Sequence, residues 1–143
     1  MPKQISSLTL AEAQRLVATA QTKARELGVP SNIAVVDAGG NLLTHVRMDG
    51  AWIGSIDISI NKAYTARLFD MPTEDLAKMA QSGRPLFGIN STNNERIVIF
   101  AGGIPVKMGD EVIGAIGASG GTVDQDQKVA QAAVSAFEAA SAS

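Results

Sequence analysis

The chain has 143 residues, the size of one domain, and its 45% apolar content with 18% charged residues suffices for a buried core and rules out a disordered chain. A net charge of −2 without a basic cluster argues against nucleic acid as a partner, and the absence of cysteine excludes disulfides, thiolate catalysis and cysteine-held metal. The opening Met-Pro-Lys-Gln-Ile-Ser-Ser has no apolar leader and no run reaches about 18 apolar residues, so a cytoplasmic protein with no membrane partner is expected.

In chain order, Thr9 and Glu12 have capping-box spacing, and Leu10, Ala13, Val17, Ala20, Ala24 and Leu27 then recur at steps of three and four. This predicts a helix over about residues 10–27, stopped by Gly28. Ile33 to Val36 and Leu42 to Met48 read as strands of a hairpin turned by Ala38-Gly39-Gly40-Asn41. From Ile53, the residues Ile56, Ile60, Ala63, Tyr64, Arg67 and Leu68 follow helical spacing until Pro72, after which Thr73 is expected to cap a short helix to about Ala80. Gln81 to Glu95 shows no periodicity and reads as a long loop, a type that is often functional. Arg96 to Ala101, Ile104 to Met108 and Glu111 to Ala118 read as a three-strand meander with turns at Gly102-Gly103 and Gly109-Asp110. Thr122 and Gln125 form a second capping-box pattern opening an alanine-rich helix whose Val129, Ala133, Ala136, Phe137 and Ala140 share a face.

The order α-β-β-α-α-β-β-β-α, with strands grouped in hairpins, predicts an α+β fold: a five-stranded, mainly antiparallel sheet flanked by helices. A single domain over residues 1–143 is expected, its ordered core spanning about 8–140, with no repeat or linker.

Several strings carry a family likeness: Ala34-Val35-Val36-Asp37-Ala38-Gly39-Gly40-Asn41, Arg47-Met48-Asp49-Gly50-Ala51, Lys62-Ala63-Tyr64-Thr65-Ala66, Gly102-Gly103-Ile104-Pro105-Val106, and Gly114-Ala115-Ile116-Gly117-Ala118-Ser119-Gly120-Gly121. Together, in this order, they resemble the GlcG/HbpS-like family, which includes the C-terminal domain of PduO-type corrinoid adenosyltransferases. The resemblance implies a five-stranded antiparallel sheet, assembly into homo-oligomers up to octamers, and binding of haem or a corrinoid. It implies little about catalysis, because a fold does not carry one reaction with it.

His45 is the only histidine and, on a strand, would share a face with Leu43 and Arg47. It is a candidate proximal ligand for haem iron, with Met48, Met71, Met108 or Tyr64 as a second axial contact, or else a structural strand histidine. Lys62 shares a helix side with Ser55, Ser59, Thr65 and Ala66, opposite the isoleucines. Small hydroxyls are unusual on a solvent face, so this stripe is expected to meet another chain, a strand edge or a ligand pocket. Lys62 could act there as a base or anion binder, or form a structural ion pair with Asp37, Asp49 or Asp57. Arg47 and Asp49, where the second strand joins the second helix, are site candidates, with Arg47 as a carboxylate clamp, or a mere Arg–Asp clasp.

Gly114 to Gly121 precedes a capped helix, where free amides attract anions, so Ser119 and Gly120 are candidate binding positions. The competing reading has these glycines serving close helix–sheet packing. The pattern is neither a Walker loop nor a dinucleotide fingerprint, Ser119 has no evident triad partner, and no structural metal is expected. The leading reading is a small-ligand-binding homo-oligomer for haem or corrinoid binding, storage or sensing. The alternative is a metal-independent isomerase, hydratase or lyase of small-molecule catabolism, with Lys62 as base and Arg47 as clamp. A purely structural reading assigns the stripe and the asparagine-rich loop to a subunit interface.

Overall fold

The structure is a computed structural model that describes residues 1–142. Helix α1 (Leu10–Leu27) begins where expected: Thr9 accepts from the Glu12 amide while the Glu12 carboxylate accepts from the Thr9 amide. It ends at Gly28, whose φ of 70° is the left-handed conformation that closes helices. The chain continues through β1 (Asn32–Asp37), β2 (Leu42–Arg47), α2 (Gly54–Phe69), α3 (Thr73–Met79), β3 (Gly103–Met108), β4 (Glu111–Ser119) and α4 (Val123–Ala142). Thr122 and Gln125 form the second capping box at the start of α4.

The sheet has four strands in the order β2-β1-β4-β3, every neighbouring pair antiparallel, so the α+β class holds but the five-stranded expectation and its element order do not. Arg96–Ala101 forms no strand; two of its backbone groups pair instead with a side chain of α2. The Thr65 hydroxyl on α2 accepts from the Val98 amide (3.0 Å) and donates to the Arg96 carbonyl (3.4 Å). At the far end Gly102, with φ at 128°, gives its amide to Gln127 of α4. Thr73 likewise does not cap α3; Pro72 holds that position, and the buried Thr73 hydroxyl accepts from the Gly103 amide at 2.9 Å.

Alternation along the strands divides the core in two. Ile33, Val35, Ile104, Val106, Ile116 and Ala118 pack beneath α1 and α4, against Leu16, Val17, Val129, Val134 and Phe137. Each of the buried Val, Ile, Leu and Phe side chains contributes roughly 1.5–3 kcal/mol by leaving water. The opposite face presents only Ala34, Val36 and Ala115 to Ala63 and Ala66 of α2, with the half-buried Ile60 packed at its side. Helix α2 is therefore seated by its small and polar side: Ser55, Ser59, Asn61, Lys62, Thr65 and the alanines are buried, while Ile53 stands 75% exposed and Ile56, Ile58 and Ile60 are only half-buried.

Glycines in the sheet set this orientation. A Cβ at Gly117 would run into the Ser59 carbonyl, and one at Gly103 into the Lys62 carbonyl, so the helix backbone rests almost on the strands. No isoleucine fits in that gap. The hydroxyl stripe thus meets the face of its own chain's sheet, where another chain, a strand edge or a ligand pocket was expected.

Candidate functional site

Two clusters hold the polar residues singled out by the sequence. The first surrounds Lys62, whose side chain is wholly buried. Its ammonium donates to the Ala118 carbonyl (2.9 Å) and to Asp126 Oδ2 (3.0 Å), and lies 5.1 Å from the centre of the Phe100 ring. The other Asp126 oxygen, Oδ1, accepts from the amides of Gly120 (3.1 Å) and Gly121 (3.0 Å). Beside it the Ser119 hydroxyl donates to Ser55 at 3.1 Å. Burial holds the Lys62 pKa below the ordinary lysine value, and the Asp126 charge and hydrogen bond partly offset this.

The glycine turn before α4 therefore does cradle an anion, and the anion is the protein's own carboxylate. The ion-pair partner of Lys62 is Asp126, not Asp37, Asp49 or Asp57. Asp126 escaped the sequence reading; its one signal is an acid in the first turn of the helix after Gly120-Gly121.

The second cluster lines a cleft of about 580 Å³ where the end of α1 meets the exit of β2. Gln21, Ala24, Arg25 and Gly28 come from α1 and its cap, Val29 and Pro30 from the following link, and Arg47, Met48 and Asp49 from the end of β2. Arg47 and Asp49 are thus brought together, joined by Arg25, which sequence spacing gave no reason to select. Lys62, Ser119 and Gly120 are not among the lining residues. The β2 exit is held firmly: the Met48 amide donates to Ser31, the Ala51 amide to Met48, and Asn32 Nδ2 to the Trp52 carbonyl, at 3.0, 3.0 and 2.9 Å. Gly50, at φ 88°, lies against the Pro30 ring, so this turn is set in a conformation that favours glycine.

His45 sits two residues before Arg47 on β2 without lining this cleft. It faces Ala34 across the β1–β2 pair, on the α2 side of the sheet, and a register shift between Val35 and Val36 sends Leu43 instead to the α1–α4 core. Among the described residues, His45 Nε2 and Asn32 Oδ1 are the buried side-chain polar atoms without a partner. Burial, then the positive charge of Arg47, push the His45 pKa below 6.5, leaving a neutral imidazole at neutral pH.

That electronic state suits an axial haem ligand, but access does not: Nε2 exposes less than 1 Å², leaving no room for an iron. The cleft fits other parts of a tetrapyrrole, offering guanidinium groups for acidic side arms and Met48 as a thioether donor. No group of three or more His, Cys, Asp or Glu gathers among the described residues in a way that could hold a metal ion. No described helix is long and apolar enough to cross a membrane.

With this geometry in place, comparison with known families matches residues 8–135 to the family described as haem degrading protein HbpS-like. The chain belongs to the HbpS-like family. The HbpS-like chain is 47% identical over 135 residues to the 15.0 kDa protein of the dhaT-dhaS intergenic region of Citrobacter freundii, covering 94% of this chain and 95% of that one. It is 35% identical over 131 residues to the corrinoid adenosyltransferase PduO of the same organism, covering 92% of this chain but only 39% of PduO. Among solved structures, the PduOC:haem complex superposes with a TM-score of 0.86 at 33% identity, over 90% of this HbpS-like chain and 94% of that one.

Proposed function

We propose that this chain is a small-ligand-binding protein, acting in the cytoplasm as a homo-oligomer, whose ligand of the haem or corrinoid class lies in the cleft between α1 and the β2 exit. The observation that carries this reading is the cleft itself: about 580 Å³ with an apolar floor of Ala24, Val29, Pro30 and Met48 and charged walls of Arg25, Arg47 and Asp49. That volume and mixture are those of small-molecule sites. The likeness to a haem-bound PduO domain supports the ligand class. The exposed Ile53 and Trp52 at the start of α2, with Ile56 and Ile58 half-buried beyond them, support the assembly.

A bound haem would supply iron chemistry; the protein would supply the guanidiniums that orient its acidic arms and the apolar floor that excludes water from its face. Titrating haem into the purified apo-protein tests the reading. A saturable shift of the Soret band, weakened about tenfold or more in Arg47→Ala, is expected, since a charge-assisted hydrogen bond is worth about 1.5–3 kcal/mol. A flat titration would remove haem from the proposal.

A further inference from the structure

We infer that the cleft recognises its ligand by paired acidic groups and not by iron, so that it takes a diacid whether or not that diacid carries a metal. This rests on the cleft being the ligand site. Three observations lead there. First, Arg25, Arg47 and Asp49 line one cleft and none takes part in an ion pair among the described residues, where the pairs that form are Lys23–Glu26, Lys62–Asp126, Arg67–Asp70 and Lys78–Asp75. The acid nearest Arg25 in sequence, Glu26, is taken by Lys23. The cleft therefore keeps an excess of one positive charge and two forked donors with no internal acceptor, the donor type best matched to carboxylates.

Second, the uncompensated charge of Arg47 is felt locally, since it helps hold His45 in its neutral form. Third, the one imidazole of the chain does not line the cleft and its Nε2 is sealed, so iron finds no histidine there. The elements are also positioned before any ligand arrives: Ser31 and Asn32 hold the β2 exit through the Met48 amide and the Trp52 carbonyl. Holding the backbone that carries Arg47 and Asp49 lowers the ordering cost of binding. Asp49 adds selectivity, disfavouring a third acid group and accepting a hydrogen bond from a hydroxyl or amine of the ligand.

The test compares three probes by calorimetry on the full chain: haem, iron-free protoporphyrin and succinate. Arg25 and Arg47 are exposed, so the double variant Arg25→Ala/Arg47→Ala keeps its fold, checked by circular dichroism. Haem and iron-free protoporphyrin are expected to bind with similar affinity, both weakened about tenfold or more in the double variant and by added salt, and neither affected by His45→Ala. Haem binding that is lost with the iron, or lost in His45→Ala, overturns the inference and leaves the cleft as an iron-dependent site. Succinate binding that needs both arginines, with no tetrapyrrole bound, upholds the inference and removes the haem or corrinoid class. Failure of all three probes removes both.

Discussion

Asp126 holds three hydrogen bonds at once, and each comes from a group that the fold cannot leave bare: a buried ammonium and two glycine amides. Replacing it by alanine leaves the Lys62 charge buried without a counter-charge, which costs about 3–5 kcal/mol. Urea denaturation of Asp126→Ala should show a loss of that order, and added formate should restore part of it by entering the vacated cradle. A variant as stable as the wild type would show that Lys62 sheds its proton or swings to water. Lys62 itself was legible as unusual, because a long cation amid small hydroxyls has no place on a solvent face. Its partner was not legible, because 64 residues separate the pair and only the packing of α4 against β4 brings them together.

At the scale of elements, α2 shows what periodicity settles and what it leaves open. The spacing of its isoleucines gave the helix, and two faces, but not which of them turns inward. The decision lies in β4, where Gly117 lets the helix backbone approach so closely that only Ser, Ala and the straight stem of Lys62 fit between. Gly117→Ala should therefore destabilise by about 1–3 kcal/mol or more through overpacking, read as a lower urea midpoint with an unchanged slope. An unchanged midpoint would mean that α2 can lift away from the sheet without loss. The same dependence on neighbours explains the missing fifth strand. Ile97, Val98 and Ile99 have strand chemistry, yet Thr65 satisfies the backbone around them and no ladder forms. Local propensity described the segment, and a side chain from another element overruled it.

For the molecule as a whole, the exposed Ile53 and Trp52 bear on the proposed assembly. Light scattering in solution should give a mass that is a multiple of 14.8 kDa, and Ile53→Glu combined with Trp52→Glu should lower it. A wild-type mass of one chain would remove the proposed assembly. The cleft also belongs to this scale. Arg47 and Asp49 stood out because they lie at a strand–helix joint, a place where polar residues collect. Arg25 did not, since the end of a helix rich in Lys, Arg and Glu looks like any solvated surface until the fold lays it beside β2.

The Lys62–Asp126 pair has a consequence for the order in which the protein is made. The ribosome delivers α1, the hairpin and α2 well before residue 126, so through that interval the ammonium of Lys62 has no carboxylate to meet and no reason to leave water. A nascent chain can form its helices early, but the pair predicts that α2 packs firmly on the sheet only once α4 has emerged. Domains usually gather structure from the N-terminus during synthesis. Here α4 supplies the counter-charge for a face formed by the middle of the chain, so that face is completed by a later element.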